Sequence, residues 1–506
     1  MDDPQTPTPD ELERYAAVHH VDLSDDERED LAAAAAQLLD AYERLAALSP
    51  SEPTTPTDPD RSGTVPDDDE NPYNAFVRRC SISGAADGSA LLEGYDVGLK
   101  DSVSLAGIGL TCGSAVLSEY VPSTDATVAT RLLEAGATIT GKLNMEDMAF
   151  SGSGELSAYG PVPNPRDPDH LAGGSSSGSG AAVVTGDVDV AIGTDQAGSI
   201  RIPAAWCGCV GHKPTYGLVP YTGIVGLGRS FDHAGPLARS VEDCARTLEA
   251  IAGADGLDPR QGAVPTEPYA EDLETDPADL TIGVLEEGFD REESEAGVDE
   301  TVSDALDEFA DAGAELREVS VPMHRDGLAI WNGIAIEETT ATVAGEGIGS
   351  FGNGYYDAEL MAAFGRARRE RADEFPPTVK LVVALGEYLA EEYHGRFYAR
   401  ARNLALDLAA AYDEALADVD VLAMPTTPQT AHERLANPSR LQLLDRAVNM
   451  LANTAPFDAT GHPALSVPAG SSDGLPVGLM LVGEAFEDAT VLRAGRAFER
   501  SVDWTA

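Results

Sequence analysis

Apolar residues follow two different periods along this chain, and the change of period divides it into regions. In residues 1–48 they recur every three or four positions after Ser24, which predicts an amphipathic helix. Thr8 with Glu11, and Ser24 with Glu27, have the spacing of capping boxes, so each pair is expected to start a helix. Residues 1–48 are therefore predicted to form a helical appendage. The apolar positions of its second helix are Leu31, Ala35, Leu38, Leu39, Tyr42 and Leu45.

The remainder of the chain combines a polar segment with alternating strand-like and helix-like runs. Residues 49–72 are rich in Pro, Thr, Asp and Ser, which cannot bury a core, and we expect a linker there. The alternation across residues 73–506 predicts a single α/β domain around a large, parallel or mixed central sheet. Within it, the acidic, helix-like segment 337–377 is expected to cap the site. The clearest runs are residues 127–133, 137–140, 188–193, 280–285, 298–312 and 316–321.

The charge of the chain indicates the medium in which it works. The 506 residues carry a formal net charge of -54, and only four of the 33 basic residues are lysines. Such a surface suits a cytosol at molar salt, because the Debye length falls to about 3 Å at 1 M and self-repulsion is screened. We therefore predict a halophilic protein; an ordinary acidic cytosolic protein is the alternative. The same charge repels phosphate groups, so neither nucleic acid nor an anionic membrane is expected as a direct partner.

Several other classes of protein are not favoured by the composition. No apolar run reaches about 18 residues, and the start of the chain lacks the basic and apolar regions of a signal peptide, so a cytoplasmic protein is predicted. The five cysteines form no CxxC pair, which indicates reduced thiols rather than a disulfide framework or a zinc ribbon. The nine histidines form no HxH or HExxH motif, and no metal or cofactor is expected.

Two serine-containing clusters are the strongest candidates for chemistry. Residues 173–180 contain only Gly and Ser and run directly into an apolar segment, which favours a glycine-rich turn over a flexible linker. Ser199 lies in the second cluster, where successive backbone N–H groups could form an oxyanion hole. Lys142 precedes both clusters, and this order suggests a serine nucleophile served by a lysine base. The alternative for Ser199 is the N-cap of the next helix.

Two further motif matches lack the structural context that they require. Residues 174–178 satisfy GxSxG, but no strand precedes them, so an α/β-hydrolase using Ser176 and His462 is a weaker alternative. Residues 347–352 satisfy GxGxxG, again without a clear preceding strand. Neither match supports a function by itself.

Several long motifs, in the right order, resemble those of the amidase signature family. They are residues 173–217, 461–468 and 474–479, and the resemblance begins near Lys100. Within the family the chain is most similar to broad-specificity and enantioselective amidases of the nitrile-degradation type. The resemblance implies the amidase-signature fold, in which helices cover both faces of a large mixed sheet. It implies no cofactor.

The resemblance also implies a catalytic triad of two serines and a lysine. Ser199 corresponds to the nucleophile, Ser175 to a bridging serine on a cis peptide, and Lys142 to the base. Lys100 and Lys213 fall in family motifs and are expected to be structural, whereas Lys380 has no assigned role. The oxyanion-hole amides implied by the family are those of Gln196, Ala197, Gly198 and Ser199.

Three neighbouring residues are expected to support the nucleophile. Asp195 and Arg201 flank Ser199 and are predicted to pair and hold its loop, with an unrelated surface ion pair as the alternative. Ser176 is included with them. Ala197 stands where the family commonly has glycine, which matters because alanine tolerates positive φ poorly.

The predicted activity is hydrolysis of a small carboxamide to a carboxylic acid and ammonia through an acyl-enzyme. The alternative is the A subunit of a glutamyl-tRNA(Gln)/aspartyl-tRNA(Asn) amidotransferase, which acts as a glutaminase and needs a partner subunit. The N-terminal helices are expected either to form a homodimer or to cover the domain's own core, and the sequence leaves both open.

Overall fold

The chain folds as two compact units, Met1–Thr54 and Thr55–Ala506. The structure is a computed structural model that describes residues 5–48, 50, 61–84 and 91–503. The boundary between the units falls inside the predicted linker 49–72. Residues 49 and 51–60 of that linker lie outside the described residues.

The N-terminal unit contains the two helices that the sequence predicts. The Thr8 side chain accepts a hydrogen bond from the Glu11 amide at 3.3 Å, and the Thr8 amide donates to the Glu11 carboxylate at 2.8 Å. Ser24 and Glu27 make the same reciprocal contacts, which confirms both predicted capping boxes. The helices are α1 (Pro9–Val18) and α2 (Asp25–Ala46).

The larger unit is built on one mixed sheet whose strand order is β1-β3-β2-β4-β6-β5-β10-β11-β9-β7-β8. The strands β3, β2 and β4 run parallel to one another, as do β9, β7 and β8, whereas the pairs between β4 and β9 are antiparallel. The strands are β1 (Phe76–Ser83), β2 (Asp96–Lys100), β3 (Thr138–Leu143), β4 (Val190–Asp195), β5 (Val210–Lys213), β6 (His233–Ala238), β7 (Thr281–Leu285), β8 (Glu315–Val319), β9 (Val421–Pro425), β10 (Ala464–Ser472) and β11 (Leu475–Val482).

Alternate residues of the central strands belong to two separate hydrophobic cores. On β11, Leu479 and Leu481 pack into one core and Met480 and Val482 into the other. Because successive side chains of a strand point to opposite faces, helices must cover both faces of the sheet. The predicted α/β class with a large mixed sheet is confirmed.

Helices from different parts of the chain supply these two cores. The first core includes residues of α6, α7 and α14, and the second includes residues of α8 and α11. No helix in the described part of the chain is long and apolar enough to cross a membrane. The helices of the larger unit are α3 (Thr127–Glu134), α4 (Ser177–Thr185), α5 (Arg201–Cys207), α6 (Val241–Ile251), α7 (Ala296–Asp311), α8 (Gly327–Ala344), α9 (Ala358–Arg371), α10 (Pro377–Tyr393), α11 (Arg396–Leu416), α12 (Arg440–Arg446), α13 (Pro456–Thr460) and α14 (Asp488–Ser501).

The second half of the predicted linker packs on the larger unit instead of connecting two units freely. Thr64 pairs with Arg79 of β1 through two backbone hydrogen bonds of 2.8 Å. The Asn71 side chain both donates to and accepts from the backbone of Phe76. Extended polar residues satisfy the free edge of a sheet as well as apolar ones do, because the contacts are made by the backbone.

Candidate active site

The ends of two parallel strands bring a lysine next to a serine at one edge of the sheet. The strand β2 ends at Lys100 and β4 ends at Asp195, and the carboxyl ends of parallel strands form a common crevice. The Lys100 Nζ lies 2.7 Å from the Ser175 Oγ and 2.8 Å from the Thr194 Oγ1. All three side chains are buried. A lysine and a serine at this distance can exchange a proton.

The lysine that the sequence favoured, Lys142, does not reach Ser175. Its Nζ lies 3.1 Å from the Asp101 Oδ1, in a fully buried ion pair. In the register of the parallel strands, Lys142 is opposite Leu99, so Lys100 points to the other face of the sheet. The prediction for Lys142 is therefore corrected: Lys100, which was expected to be structural, occupies the position beside Ser175.

The two serines that precede α4 have different contacts. The peptide bond between Gly174 and Ser175 is cis, and the Ser175 carbonyl accepts from the Glu146 amide at 3.1 Å. The Ser176 Oγ donates to the Thr194 carbonyl and accepts from the Thr194 amide, at 3.2 and 3.3 Å. The Ser176 amide also donates to the Ser199 carbonyl at 3.3 Å. Ser176 thus joins the end of β4 to the Ser199 loop.

An ion pair holds the Ser199 loop from behind. The Arg201 guanidinium donates to both carboxylate oxygens of Asp195, at 3.0 and 3.1 Å, and also to Asp458 at 2.7 Å. All three groups are fully buried, and the charge of Arg201 helps to hold the pKa of Asp195 well below its usual range despite burial. The same carboxylate accepts the amides of Gly198 and Ile200. Asp195 and Arg201 do pair, and the surface-pair alternative is wrong.

The backbone amides of the loop are not equivalent. The Gly198 amide donates to the Asp195 carboxylate. It is therefore not available to the site, contrary to the expectation that it forms part of the oxyanion hole. Within the described residues, the amides of Gln196, Ala197 and Ser199 donate to no protein acceptor. The Trp331 Nε1 donates to the Gln196 carbonyl at 2.7 Å, which turns the following amide, that of Ala197, the opposite way. Unpaired amides at a loop of this kind can bind an oxyanion.

Glycine at position 198, and not at 197, is what the loop requires. Gly198 has a φ of 133°, whereas the φ of Ala197 is not positive. A Cβ at Gly198 would also collide with Thr454, whose hydroxyl donates to the Ala197 carbonyl. Alanine at position 197 is therefore compatible with the loop.

Comparisons with known proteins agree with this geometry. The family model described as "Amidase" matches residues 81–492. An enantioselective amidase of Rhodococcus rhodochrous is 46% identical over 458 residues, covering 89% of this chain and 87% of that protein. The chain belongs to the amidase family. It is an enzyme of the class that hydrolyses amide bonds, as the resemblance implied.

Subunits of tRNA amidotransferases are also similar to this amidase. The A subunit of the glutamyl-tRNA(Gln) amidotransferase of Natronomonas pharaonis is 41% identical over 432 residues, covering 84% of this chain and 99% of that protein. The solved structure of the corresponding subunit of Thermotoga maritima has a TM-score of 0.71 at 31% identity, covering 85% of this chain and 88% of that one. Both the amidases and the amidotransferase subunits are thus relatives.

The pKa of the Lys100 ammonium group is lower than that of an ordinary lysine. Burial lowers its pKa from the ordinary 10.5 to about 7, because the charged form loses its hydration. The nearby groups Asp195, Cys112, Glu146 and Asp232 act in the opposite direction and raise it. Desolvation outweighs them, so the neutral form of Lys100 becomes accessible near neutral pH.

A mostly apolar cleft opens in front of the Ser199 loop. Ser199 is 6% exposed and lies on its wall. The empty volume of the cleft, with its mouth, is about 1000 Å³. Among the described residues that line it, none is charged. Helices α8 and α10 contribute much of the wall, and the chain from Leu444 to Leu451 adds to it. The predicted cap segment 337–377 therefore overlaps the cover of the cleft only in part. Six of the larger lining residues are Phe150, Phe231, Trp331, Ile336, Leu385 and Leu451.

Sequence reasoning missed three residues of the amidase site. Lys100 had a signal, since the resemblance to the family begins near it. The sequence nevertheless favoured Lys142, because Lys142 precedes the two serine clusters. Thr194 and Trp331 had none, because a hydroxyl at a strand end and an aromatic residue on a distant helix are ordinary core residues by pattern. Only the fold brings Trp331 to the Gln196 carbonyl.

Proposed function

We propose that this protein hydrolyses small carboxamides to a carboxylic acid and ammonia, with Ser199 as nucleophile, Ser175 as proton relay and Lys100 as base. The observation that carries the proposal is the 2.7 Å contact between the Lys100 Nζ and the Ser175 Oγ, beneath a loop whose serine faces a cleft. The similarity to an enantioselective amidase supports the same activity.

A lysine can act as a base only when it is neutral. An unperturbed lysine is neutral about once in 2,500 at pH 7, a deficit of roughly 4.6 kcal/mol. With a pKa lowered to about 7, Lys100 meets most of that requirement before substrate binds. Lys142 is held in an ion pair with Asp101 and does not reach Ser175, so it is not placed to act as the base.

The proposed cycle moves one proton along the two serines and back. As the Ser199 oxygen forms a bond to the amide carbon, its proton passes to Ser175 and the Ser175 proton passes to Lys100. The amides of Gln196, Ala197 and Ser199 stabilise the oxyanion that develops. When the C–N bond breaks, the same proton returns through Ser175 and ammonia leaves. Water then attacks the acyl carbon and gives a proton to Lys100 through Ser175. That proton returns to the Ser199 oxygen as the ester bond breaks and the acid leaves.

The cleft favours an uncharged substrate over glutamine. Free glutamine carries an ammonium and a carboxylate, and burying such charges without partners is costly. Among the described residues, no charged side chain lines the cleft. The cleft instead offers apolar walls and a few neutral polar groups. A glutaminase function remains the second candidate because of the similarity to amidotransferase subunits. It would require partners for the charges of glutamine from outside the residues that line this cleft.

Covalent labelling of the lone protein tests the assignment of the nucleophile. A fluorophosphonate should form a stable adduct with the native protein at Ser199, and the Ser199→Ala variant should not be labelled. Ser179→Ala is the matched control, because Ser179 is also a buried serine, in the neighbouring helix α4, and its replacement should leave labelling intact. Persistent labelling of Ser199→Ala would refute the assignment.

A substrate panel then separates the two activities. The lone protein should release ammonia from neutral aliphatic and aromatic amides and show little activity with glutamine. Rapid hydrolysis of glutamine with no activity on neutral amides would support the glutaminase instead.

We also propose that the protein works in a salt-rich cytosol. Its net charge is -54, and Lys380 is the only exposed lysine of the four. The five cysteines are all free thiols, which suits a reducing compartment. The dependence of the melting temperature on KCl, given in the Discussion, tests the salt requirement.

A further inference from the structure

A second buried lysine lies beside the proposed base and is used by no step of the reaction. The Lys142 Nζ contacts the Asp101 Oδ1 at 3.1 Å and the Asp101 carbonyl at 3.5 Å. The other carboxylate oxygen of Asp101 accepts the Thr111 amide at 2.9 Å and the Thr111 hydroxyl. Asp101 therefore has a structural task, since it organises the turn that follows β2.

This ion pair belongs to the neighbourhood of Lys100. Asp101 directly follows Lys100, and its amide continues the β3 ladder by donating to the Leu143 carbonyl at 3.0 Å. The Cys112 amide donates to the Asp101 carbonyl at 3.4 Å. Burial raises the pKa of the Cys112 thiol, Asp101 raises it further, and the charges of Lys142 and Lys100 lower it. The pair and the base are thus within electrostatic range of a common buried group.

The other groups that face Lys100 already oppose its deprotonation. They are Asp195 of β4, Cys112 of the turn after β2, Glu146 after β3, and Asp232 before β6. Asp195 is offset by Arg201, and the Glu146 carboxylate is held by the amides of Glu155 and Leu156. An unpaired Asp101 carboxylate would add one more negative charge, and it would favour the protonated form of Lys100.

We propose that Lys142 is a positioning residue that neutralises Asp101 and so allows Lys100 to lose its proton near neutral pH. The proposal rests on the function assigned to Lys100 above. The proposal explains why the buried Lys142–Asp101 ion pair is present at a place where two apolar residues would often be equally stable. The turn needs the Asp101 carboxylate, and the carboxylate needs a compensating cation.

The acid limb of the pH profile of kcat/KM is the readout, because a purely structural lysine would not move it. Lys142→Met should shift the limb by about one pH unit to higher pH, since a nearby uncompensated carboxylate raises a lysine pKa. Asp101→Asn should shift it to lower pH, because Lys142 is then an unpaired cation. The double variant Lys142→Met/Asp101→Asn should return the limb close to that of the native enzyme, and Lys142→Arg should leave it near its native position.

Arg61→Met is the matched control, since it breaks another buried ion pair, that of Arg61 with Asp125 at 2.6 Å. It should lower stability without moving the limb. The proposal is overturned if Lys142→Met leaves the limb unmoved, or if the double variant shifts as far as Lys142→Met alone. If Lys142→Met does not fold, an unmoved limb in Asp101→Asn overturns it.

Fluorophosphonate labelling separates this outcome from failure of the proposed function. Loss of labelling in Ser199→Ala with an unmoved limb in the Lys142 and Asp101 variants rejects only the role of Lys142. Labelling that survives in Ser199→Ala rejects the triad itself.

Discussion

Replacement of Lys100 by methionine should abolish activity and at the same time stabilise the fold at neutral pH. Methionine has a similar length and no charge, so it fills the site without needing hydration. Lys100 is fully buried, and its pKa is lowered to about 7 from 10.5. A lowered lysine pKa means that the folded state binds the proton more weakly than the unfolded chain does, so the protonated lysine destabilises the fold.

The magnitude follows from that difference in pKa. Each pKa unit corresponds to about 1.36 kcal/mol, so keeping Lys100 in the fold costs about 4 to 5 kcal/mol at pH 7. Methionine gives up the hydrogen bonds to Ser175 and Thr194, each worth about 1 kcal/mol, and leaves their hydroxyls less well satisfied. The variant should therefore be more stable than the native enzyme by roughly 2 kcal/mol at pH 7.

The pH dependence distinguishes this effect from ordinary repacking. Below pH 7 both the folded and the unfolded chain hold the proton, and the full cost is present. Between about pH 7 and 10.5 only the unfolded chain holds it, so the native enzyme gains stability as the pH rises. By pH 9 roughly 2 kcal/mol of the cost is gone, and the advantage of Lys100→Met should have largely disappeared.

Chemical denaturation at pH 7 and pH 9, in matched salt, measures both values. The other titrating groups are common to the two proteins and cancel in the difference. Lys380→Met is the control, because Lys380 is exposed and its replacement should change stability by less than about 0.5 kcal/mol at either pH. A Lys100→Met variant that is less stable than the native enzyme at pH 7, or a difference that does not change with pH, would refute the reasoning.

Three further predictions concern the pH profile, the nucleophile loop and salt. The kcat/KM for a neutral amide should fall about tenfold per pH unit below about pH 7, as Lys100 takes up its proton; a flat profile from pH 5 to 7 would exclude Lys100 as base. Trp331→Phe removes the donor to the Gln196 carbonyl and should lower kcat roughly fivefold, measured by ammonia release at saturating substrate, with no such loss for Tyr388→Phe on the exposed side of α10. The melting temperature, followed by circular dichroism, should rise from low salt to molar KCl, because screening relieves the repulsion of a -54 charge; no rise would contradict the halophilic assignment.

The features that the sequence predicted correctly are those with a local physical cause. The capping boxes at Thr8 and Ser24 depend on residues three positions apart, so the spacing alone identifies them. The alternation of runs predicts the α/β class for the same reason. The sequence did not predict that the second half of the linker 49–72 packs on the larger unit. Thr64 is held there by backbone pairing with the edge strand β1, and backbone pairing does not depend on the composition of the segment.

The choice between two lysines shows what local patterns leave out. Lys100 is the last residue of β2 and Lys142 is the penultimate residue of β3, and each has a leucine as an immediate neighbour in the sequence. Which one meets Ser175 depends on the register of β2 against β3, where Leu99 is opposite Lys142. A shift of β3 by one residue would move Lys142 to the face of the sheet to which Lys100 points.

The burial of the lysines gives a physical reason for their scarcity. Lys100, Lys142 and Lys213 are fully buried, whereas the surface carries its positive charge almost entirely as arginine. Arginine cannot lose its proton in a protein, but burial lowers the pKa of Lys100 to about 7 and that of Lys213 to about 8. On the surface of so acidic a protein, a lysine pKa would instead be raised. Of the two kinds of cationic side chain, only a buried lysine can therefore serve as the proposed base, and Lys100 is such a lysine.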